Sequence, residues 1–148
     1  MSKYQEIVRL FGVSLKGSKV LVEELTRING IGPTLARSII HRLGIPINKR
    51  VGELSEEEVK ALEEYISNIS RNFPDYVLNR RFDRFTGESH HLIGSDVKFI
   101  MERDIEFEKS IDSWRGIRHK LGLKVRGQRT RTTGRKSKVP VGVRRKKK

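Results

Sequence analysis

The sequence predicts a mainly α protein: a helical globular domain, a long helix, a small hairpin-like excursion and an extended basic C-terminal tail. Apolar residues recur at helical spacing in several stretches of the first 114 residues. Turn residues interrupt this spacing at about 72–94. Beyond residue 114 apolar residues become sparse and basic ones dominate, which is typical of a segment that does not fold alone.

The first two predicted helices flank a glycine-rich turn. Residues 4–22 contain short apolar pieces broken by glycines. A helix capped by Ser18 is expected from about Lys19 to Ile28, because its apolar residues lie on one face. The turn Gly30–Pro33 interrupts it. A second helix is expected from Pro33, whose fixed φ suits a first turn, to about Leu43.

Capping signals predict two further helices. Ser55 and Glu58 form a capping box that starts a third helix, running to about Ile69. Ser95 is the expected cap of a long helix that runs to about Trp114. Its apolar stripe would consist of Val97, Ile100, Met101, Ile105, Ile111 and Trp114.

These elements predict four segments along the chain. Residues 1–71 form the globular domain, and residues 72–94 form an irregular or β-hairpin excursion. Residues 95–114 form the long helix. A short helical turn is expected near Ile117–Leu121, within a basic extension at 115–148.

The net charge of +14 is concentrated at the C-terminal end. Residues 1–114 carry 17 lysines and arginines against 18 acids, whereas residues 115–148 carry 15 basic residues and no acid. Ordinary solvated surfaces mix both signs. A near-neutral globule with an acid-free basic arm therefore indicates a nucleic-acid-binding protein.

Several functional classes are excluded or disfavoured. The chain has no cysteine, which excludes disulfides, thiolate zinc sites and cysteine nucleophiles. No apolar run approaches the roughly 20 residues of a membrane span, and the N-terminus lacks a signal-peptide pattern. We therefore expect a soluble, intracellular protein. No nucleophile–base pair is evident in the sequence, so we expect that the protein is not an enzyme and needs no cofactor or metal. Gly12–Lys19 is similar to a P-loop, but it ends in Ser-Lys, so a nucleotide site is not expected. His90-His91 is interpreted as a pair of surface residues and not as a metal site.

The segment Thr26–Thr34 is the first candidate site. Its glycines would let the backbone approach a partner closely. Free N–H groups at the start of the second helix would attract a phosphate. An ordinary tight turn is the alternative, but the flanking helices and nearby arginines favour phosphate binding. The candidate residues are Arg27, Gly30, Gly32, Thr34 and Arg37.

The second candidate site lies in the basic arm. Arginine binds phosphate with two parallel hydrogen bonds and stacks on bases, and threonine and glutamine add neutral hydrogen bonds. The candidate residues are Arg115, Arg118, His119, Lys120, Arg126, Gln128, Arg129, Thr130, Arg131, Thr132, Arg135 and Lys136. A terminal cluster, Arg144–Lys148, is compositional and favours either a non-specific phosphate clamp or a targeting signal.

At these two motifs the sequence resembles the universal small-subunit ribosomal protein thirteen family. The resemblance is carried by LTRINGIGPTLA at 25–36, by VGELSEEE at 51–58 and above all by RGIRHKLGLKVRGQRTRTTGR at 115–135. The last block follows the family pattern RGxRHxxGLxVRGQxTxTxxR. Lys124 departs from the Pro or Arg of many relatives. The excursion and the opening residues resemble the archaeal/eukaryotic branch, and an archaeal source is favoured.

The resemblance implies a structural role in the head of the small ribosomal subunit, and therefore a cytoplasmic protein. The globular part would be a helix–two-turns–helix domain that docks on small-subunit rRNA, with Gly30, Gly32, Thr34 and Arg37 facing it. The long helix would project and contribute to the intersubunit bridge with a large-subunit protein of the five family, and a head protein of the nineteen family would pack alongside. The tail would approach peptidyl-site tRNA through Lys138, Arg144, Arg145, Lys146, Lys147 and Lys148.

Two other functions remain alternatives. Helix–two-turns–helix units also occur in DNA-repair glycosylases, which would make this chain a repair-related DNA-binding protein. This chain is too short to contain their separate catalytic domain, and it has no cysteine to form their zinc finger. A chromatin-like DNA packer would explain the basic tail but not the order of its motifs.

Overall fold

A computed structural model describes residues 4–131, and these divide into two compact units. The first unit ends at Lys98 and the second begins at Phe99. The described residues form six helices and one two-stranded sheet, which confirms the mainly helical fold class.

The first unit opens with a hairpin that the sequence analysis did not identify. Strand β1 (Ile7–Leu10) pairs antiparallel with β2 (Val13–Lys16), and Leu10 faces Val13 across the turn. Phe11 and Gly12 both have positive φ, as a two-residue hairpin turn requires. The P-loop-like residues therefore belong largely to a β-hairpin.

The first helix is shorter than predicted. Helix α1 spans Leu21–Leu25, and Ser18 is not its cap. The chain is extended before it, because Val20 forms an antiparallel bridge with Arg50 and the Leu21 N–H donates to the Lys49 carbonyl. After Leu25 the N–H groups of the next three residues bond three residues back, so the helix tightens into turns and ends before Ile28.

The second and third helices agree closely with the prediction. Helix α2 spans Pro33–Arg42 and ends in a Schellman motif at Gly44. Helix α3 spans Glu56–Ser67, and Ser55 and Glu58 form the expected reciprocal capping box. A short helix α4 (Ile69–Asn72) continues from it.

The hydrophobic core lies between Val8 and Leu78. It combines one face of the hairpin with the inner faces of α1 to α4, and the buried side chains include Leu15, Leu25, Ile39, Leu62 and Ile66. Every fully buried apolar side chain in residues 4–131 lies in this interval. The helices of this unit are therefore positioned by a common core, as expected for a small domain.

The excursion at 72–94 is mainly irregular. It contains a 3₁₀ turn at Asp75–Val77 and a single antiparallel bridge between Arg80 and His90. Between these bridge residues Asp83 accepts hydrogen bonds from the Arg80 guanidinium and the Phe85 backbone N–H, which lower the pKa of Asp83 to about 2. Strand pairing within 72–94 is thus limited to this one bridge.

The long helix differs from the prediction in its end and in its packing. Helix α5 spans Ser95–Ser110, so Ser95 is its first residue and Trp114 lies beyond it. Asp112 has a φ of +50°, which breaks the helix before a separate helix α6, Trp114–Lys120. None of the α5 side chains is buried, and Met101, Ile111 and Trp114 of the expected apolar stripe are exposed.

A buried carboxylate joins the hairpin to α1. Glu24 Oε2 accepts hydrogen bonds from the Lys16 N–H at 2.9 Å and from Arg27 Nη1 at 2.7 Å. Burial raises the pKa of Glu24, but these two donors outweigh burial and leave the pKa below its ordinary value. Arg27 also donates to the Ser14 carbonyl at 3.2 Å.

We predict that Glu24→Gln lowers the free energy of unfolding by about 1–3 kcal/mol at pH 7, because a charge-assisted acceptor is lost from a buried site. Since the folded-state pKa of Glu24 is lowered, its contribution is complete above pH 4.5 and is lost as pH falls through the folded-state pKa. Chemical denaturation at pH 7 and pH 3 measures both effects. The exposed neighbour variant Glu23→Gln is the control, and equal stability of the two variants at pH 7 would contradict the prediction.

Candidate nucleic-acid interface

The glycine-rich turn before α2 is held against the excursion. Gly30 has a φ of +97°, and a Cβ at this position would lie 2.2 Å from the Leu92 carbonyl oxygen. The sequence predicted that glycine would let the backbone approach a partner closely here. At Gly30 the structure shows a close approach to Leu92 of the same chain. At Gly32 a Cβ would meet no atom within 4 Å, so the described structure leaves this side of the turn open.

The start of α2 has the features of an anion-binding position. Gly32 is the N-cap, its backbone is extended, and its carbonyl accepts from the Ala36 N–H at 2.9 Å. Within residues 4–131, the Thr34 and Leu35 backbone N–H groups have no hydrogen-bond acceptor. These groups and the positive end of the helix dipole favour a negative charge. Thr34 and Arg37 are exposed beside them.

A pair of residues from the excursion fixes the other side of the turn. His91 Nε2 lies 2.9 Å from the Gly30 carbonyl oxygen, and its Nδ1 lies 3.4 Å from the Asn79 backbone nitrogen. The Asn79 side chain accepts from the Leu92 N–H and donates to the Leu92 carbonyl. The Gly94 N–H donates to the Asn29 carbonyl at 2.8 Å.

This arrangement requires a neutral His91 ring. Burial lowers the pKa of His91, although the contact with the Gly30 carbonyl partly opposes that shift. With a proton on Nε2, Nδ1 is free to accept from the Asn79 N–H. The interpretation of His90-His91 as a surface pair is therefore wrong for His91, which is half-buried and connects the excursion to the turn.

Helix α6 carries the first residues of the basic motif. Ser113 caps it, because its Oγ accepts from the Gly116 N–H at 3.0 Å and donates to Glu108 Oε2 at 2.6 Å. A Cβ at Gly116 would lie 1.9 Å from the Glu108 carbonyl oxygen, so only glycine permits this contact between α6 and the end of α5. The basic helix thus has a fixed position on α5.

The α6 side chains form a mostly solvent-facing basic surface. Arg115 and Lys120 are exposed, and Lys120 forms an ion pair with Asp112. The Arg118 guanidinium lies 5.6 Å from the centre of the Trp114 ring, and its Nε donates to the Lys124 carbonyl. His119 is half-buried. A Schellman motif ends the helix, with the Gly122 and Leu123 N–H groups bonded to His119 and Arg118 carbonyls.

The remaining predicted residues fall into three groups. Arg27 is half-exposed, but its guanidinium binds Glu24 and the Ser14 carbonyl, so it has a structural role within the first unit. Residues 124–131 have no regular secondary structure, and Arg126, Gln128, Arg129 and Arg131 are exposed there, with Thr130 partly buried. The residues that lie outside the described part are Thr132, Arg135, Lys136, Lys138, Arg144, Arg145, Lys146, Lys147 and Lys148.

The described part of the chain contains neither a metal-binding group of side chains nor a membrane-spanning helix. No group of three or more histidine or acidic side chains is placed to hold a metal ion. No helix there has the length and apolar content needed to cross a membrane.

Comparison with known proteins identifies the family. The family model described as ribosomal protein S13/S18 matches residues 9–136. This chain belongs to that family. A protein of Staphylothermus marinus named small ribosomal subunit protein uS13 is 52% identical over 97% of this chain and 95% of its own length. Proteins of the same name from Aeropyrum pernix and Methanothermobacter thermautotrophicus are 49% and 44% identical, each over 98% of this chain and 97% of their own length.

Family membership confirms the resemblance and the absence of enzymatic function. The chain is a structural ribosomal protein, and the named relatives are archaeal, as the sequence analysis favoured. The match begins in β1 and extends past residue 131 into the basic motif. It therefore includes both candidate sites.

We predict that alanine destabilises the protein at Gly30 but has little effect at Gly32. Gly30→Ala should destabilise the first unit by about 1–3 kcal/mol, since its left-handed backbone is strained and the added Cβ meets the Leu92 carbonyl. Gly32→Ala should change the free energy of unfolding by less than about 1 kcal/mol, because its backbone is extended and the space beside it is open. Denaturant melts of the two variants test this, and equal losses would contradict the assigned contact.

Proposed function

We propose that this chain is an RNA-binding protein of the small ribosomal subunit, which holds small-subunit rRNA through its basic extension and its Gly30–Pro33 turn. The observation that carries the proposal is the acid-free segment that starts at α6. Between residues 115 and 131 it carries seven lysines and arginines and no acid, and most of these side chains are exposed. When such a surface binds a polyanion, its basic groups displace the counterions that are condensed on that polyanion.

The capped ends of helix α6 favour RNA binding rather than a basic surface that is merely solvated. Ser113, Gly116 and the Schellman motif fix its two ends, so its basic side chains start from a defined backbone. Fixing the backbone that carries these side chains before binding reduces the entropy lost on contact with phosphate. Glutamine and threonine within 126–131 provide the neutral donors and acceptors that suit sugar and phosphate oxygens.

The start of α2 supports a second contact with the same RNA. The Thr34 and Leu35 N–H groups, the exposed Arg37 and the open side of Gly32 suit a phosphate group. None of these features recognises a base. Shape and 2′-hydroxyl contacts would therefore provide most of the discrimination for RNA.

The finer assignments rest on the family resemblance alone. In this proposal residues 138–148 approach peptidyl-site tRNA, the chain contributes to the intersubunit bridge with a large-subunit protein of the five family, and a protein of the nineteen family is its neighbour in the head. Relatives that match over 95% and 97% of their own length are named as proteins of the small ribosomal subunit.

Association with ribosomal subunits tests the proposal directly. The tagged chain should co-sediment with small subunits through a high-salt wash, and in competition it should prefer head-domain rRNA to duplex DNA. Equal binding to both nucleic acids would favour the DNA-packing alternative. Activity on damaged duplex DNA would favour the repair alternative.

We predict that replacing Arg115, Arg126 and Arg131 together by glutamine lowers the salt dependence of rRNA binding. Each lost phosphate contact removes about 0.7–0.9 from the slope of log affinity against log salt, so the slope should fall by about 2 to 3. Filter binding over a salt series measures the slope. The matched control replaces the exposed Lys60, Arg71 and Arg81 of the first unit, and an equal fall in both variants would show that only net charge matters.

A further inference from the structure

A groove in the first unit is not explained by the basic arm. It has a volume of about 720 Å³ and lies between α2 and residues 73–79 of the excursion. Its lining includes the exposed α2 side chains Arg37, His41 and Arg42 and the exposed ring of Tyr76. This volume is within the range of roughly 300–1,000 Å³ typical of small-ligand sites.

The charge of the lining favours an anionic occupant. Two arginines and two histidines border the groove, and no aspartate or glutamate does. Within residues 4–131, Arg37 and Arg42 form no ion pair. Their guanidinium groups are therefore available to an anion, and an acidic neighbour would not have to be displaced first.

The exposed apolar side chains favour a ligand that also has an aromatic face. Tyr76 is 76% exposed, and Ile47, which comes from the loop after α2, is 54% exposed; both line the groove. A duplex buries the faces of its bases in the stack, whereas an unpaired nucleotide offers both a base face and a phosphate.

The wall that carries Tyr76 is fixed before any ligand binds. Asn79 is paired with the Leu92 backbone through two hydrogen bonds, and His91 connects the same segment to the Gly30 carbonyl. Phe73, at the other end of this wall, packs edge-on against Tyr65 of α3 with ring centres 6.1 Å apart. A preformed wall avoids much of the ordering cost of binding.

We propose that this groove binds an unpaired nucleotide of RNA, with its base stacked on Tyr76 and its flanking phosphates held by Arg37 and Arg42. The proposal rests on the RNA-binding function proposed above and deepens it. It adds Tyr76 and Arg42 as binding residues, and it gives the excursion a function, recognition of single-stranded RNA.

The test compares a single-stranded RNA oligonucleotide with a duplex of the same length, using the full chain at raised salt. Under these conditions phosphate contacts contribute less, whereas base stacking persists. Tyr76→Ala should weaken single-strand binding by about 5- to 150-fold, the range that corresponds to one lost base stack. Tyr76→Phe should retain most of the affinity, and duplex binding should not change.

Matched variants separate the groove from general surface effects. Phe82→Ala removes a ring that is equally exposed but lies outside the groove, and it should not change single-strand binding. Replacing Arg37 and Arg42 by glutamine should lower the single-strand salt slope by about 1.4, more than the same change at Lys60 and Arg71. Thermal melts check that each variant is folded.

A bromouridine-substituted single strand adds a readout of position. Irradiation should cross-link it to Tyr76, and peptide mapping by mass spectrometry identifies the residue. Unchanged single-strand affinity in Tyr76→Ala, or an equal loss for single strand and duplex, would overturn the proposal. If Tyr76→Ala has no effect but the arm variant still loses affinity, the proposed function stands and only the groove proposal fails.

Discussion

The geometry of the first candidate site depends on the backbone contact between Gly30 and Leu92. Because a Cβ at Gly30 would lie 2.2 Å from the Leu92 carbonyl oxygen, the excursion lies directly on the turn before α2. Contacts from His91 to the Gly30 carbonyl and from the Gly94 N–H to the Asn29 carbonyl keep it there, and Asn79 fixes Leu92 within the excursion. The same contact leaves Gly32 and the start of α2 open, and it makes residues 73–79 one wall of the adjoining groove. One glycine therefore determines both which side of the turn is covered and which side remains available.

The second unit uses glycine for a related purpose. Gly116 brings α6 against the Glu108 carbonyl, and Ser113 connects the same two helices through its hydroxyl group. Fully buried apolar side chains are absent from the described part of this unit, so polar caps and a close backbone contact position the basic helix. Charged residues cannot contribute a large apolar core. A short helix positioned by its caps carries basic residues without needing such a core.

The sequence predicted those elements whose signals are local. Ser55 and Glu58 started α3, and Pro33 and Gly44 bounded α2, because caps and proline act within one turn. Long-range constraints were missed. Ser18 failed as a cap because residues 19–21 are bonded to 49–51, and the N-terminal hairpin was overlooked because a two-residue turn of Phe and Gly is a weak signal. Ser113 was a local cap signal that could have been found, whereas the roles of Gly116, Asn79 and His91 appear only once distant segments are brought together.

The two candidate sites would obtain affinity from different physical sources. Exposed arginines on an irregular segment gain mainly from counterion release, which weakens steeply as salt rises. A preformed groove with one aromatic ring gains from stacking and shape, which salt affects much less. When two such sites belong to one chain and one RNA, binding at the first raises the effective concentration at the second. The near-neutral globule can then be selective without carrying excess charge, because the arm provides attraction and the groove provides a restriction on which RNA fits. This division explains why the charge is confined to one end of the sequence.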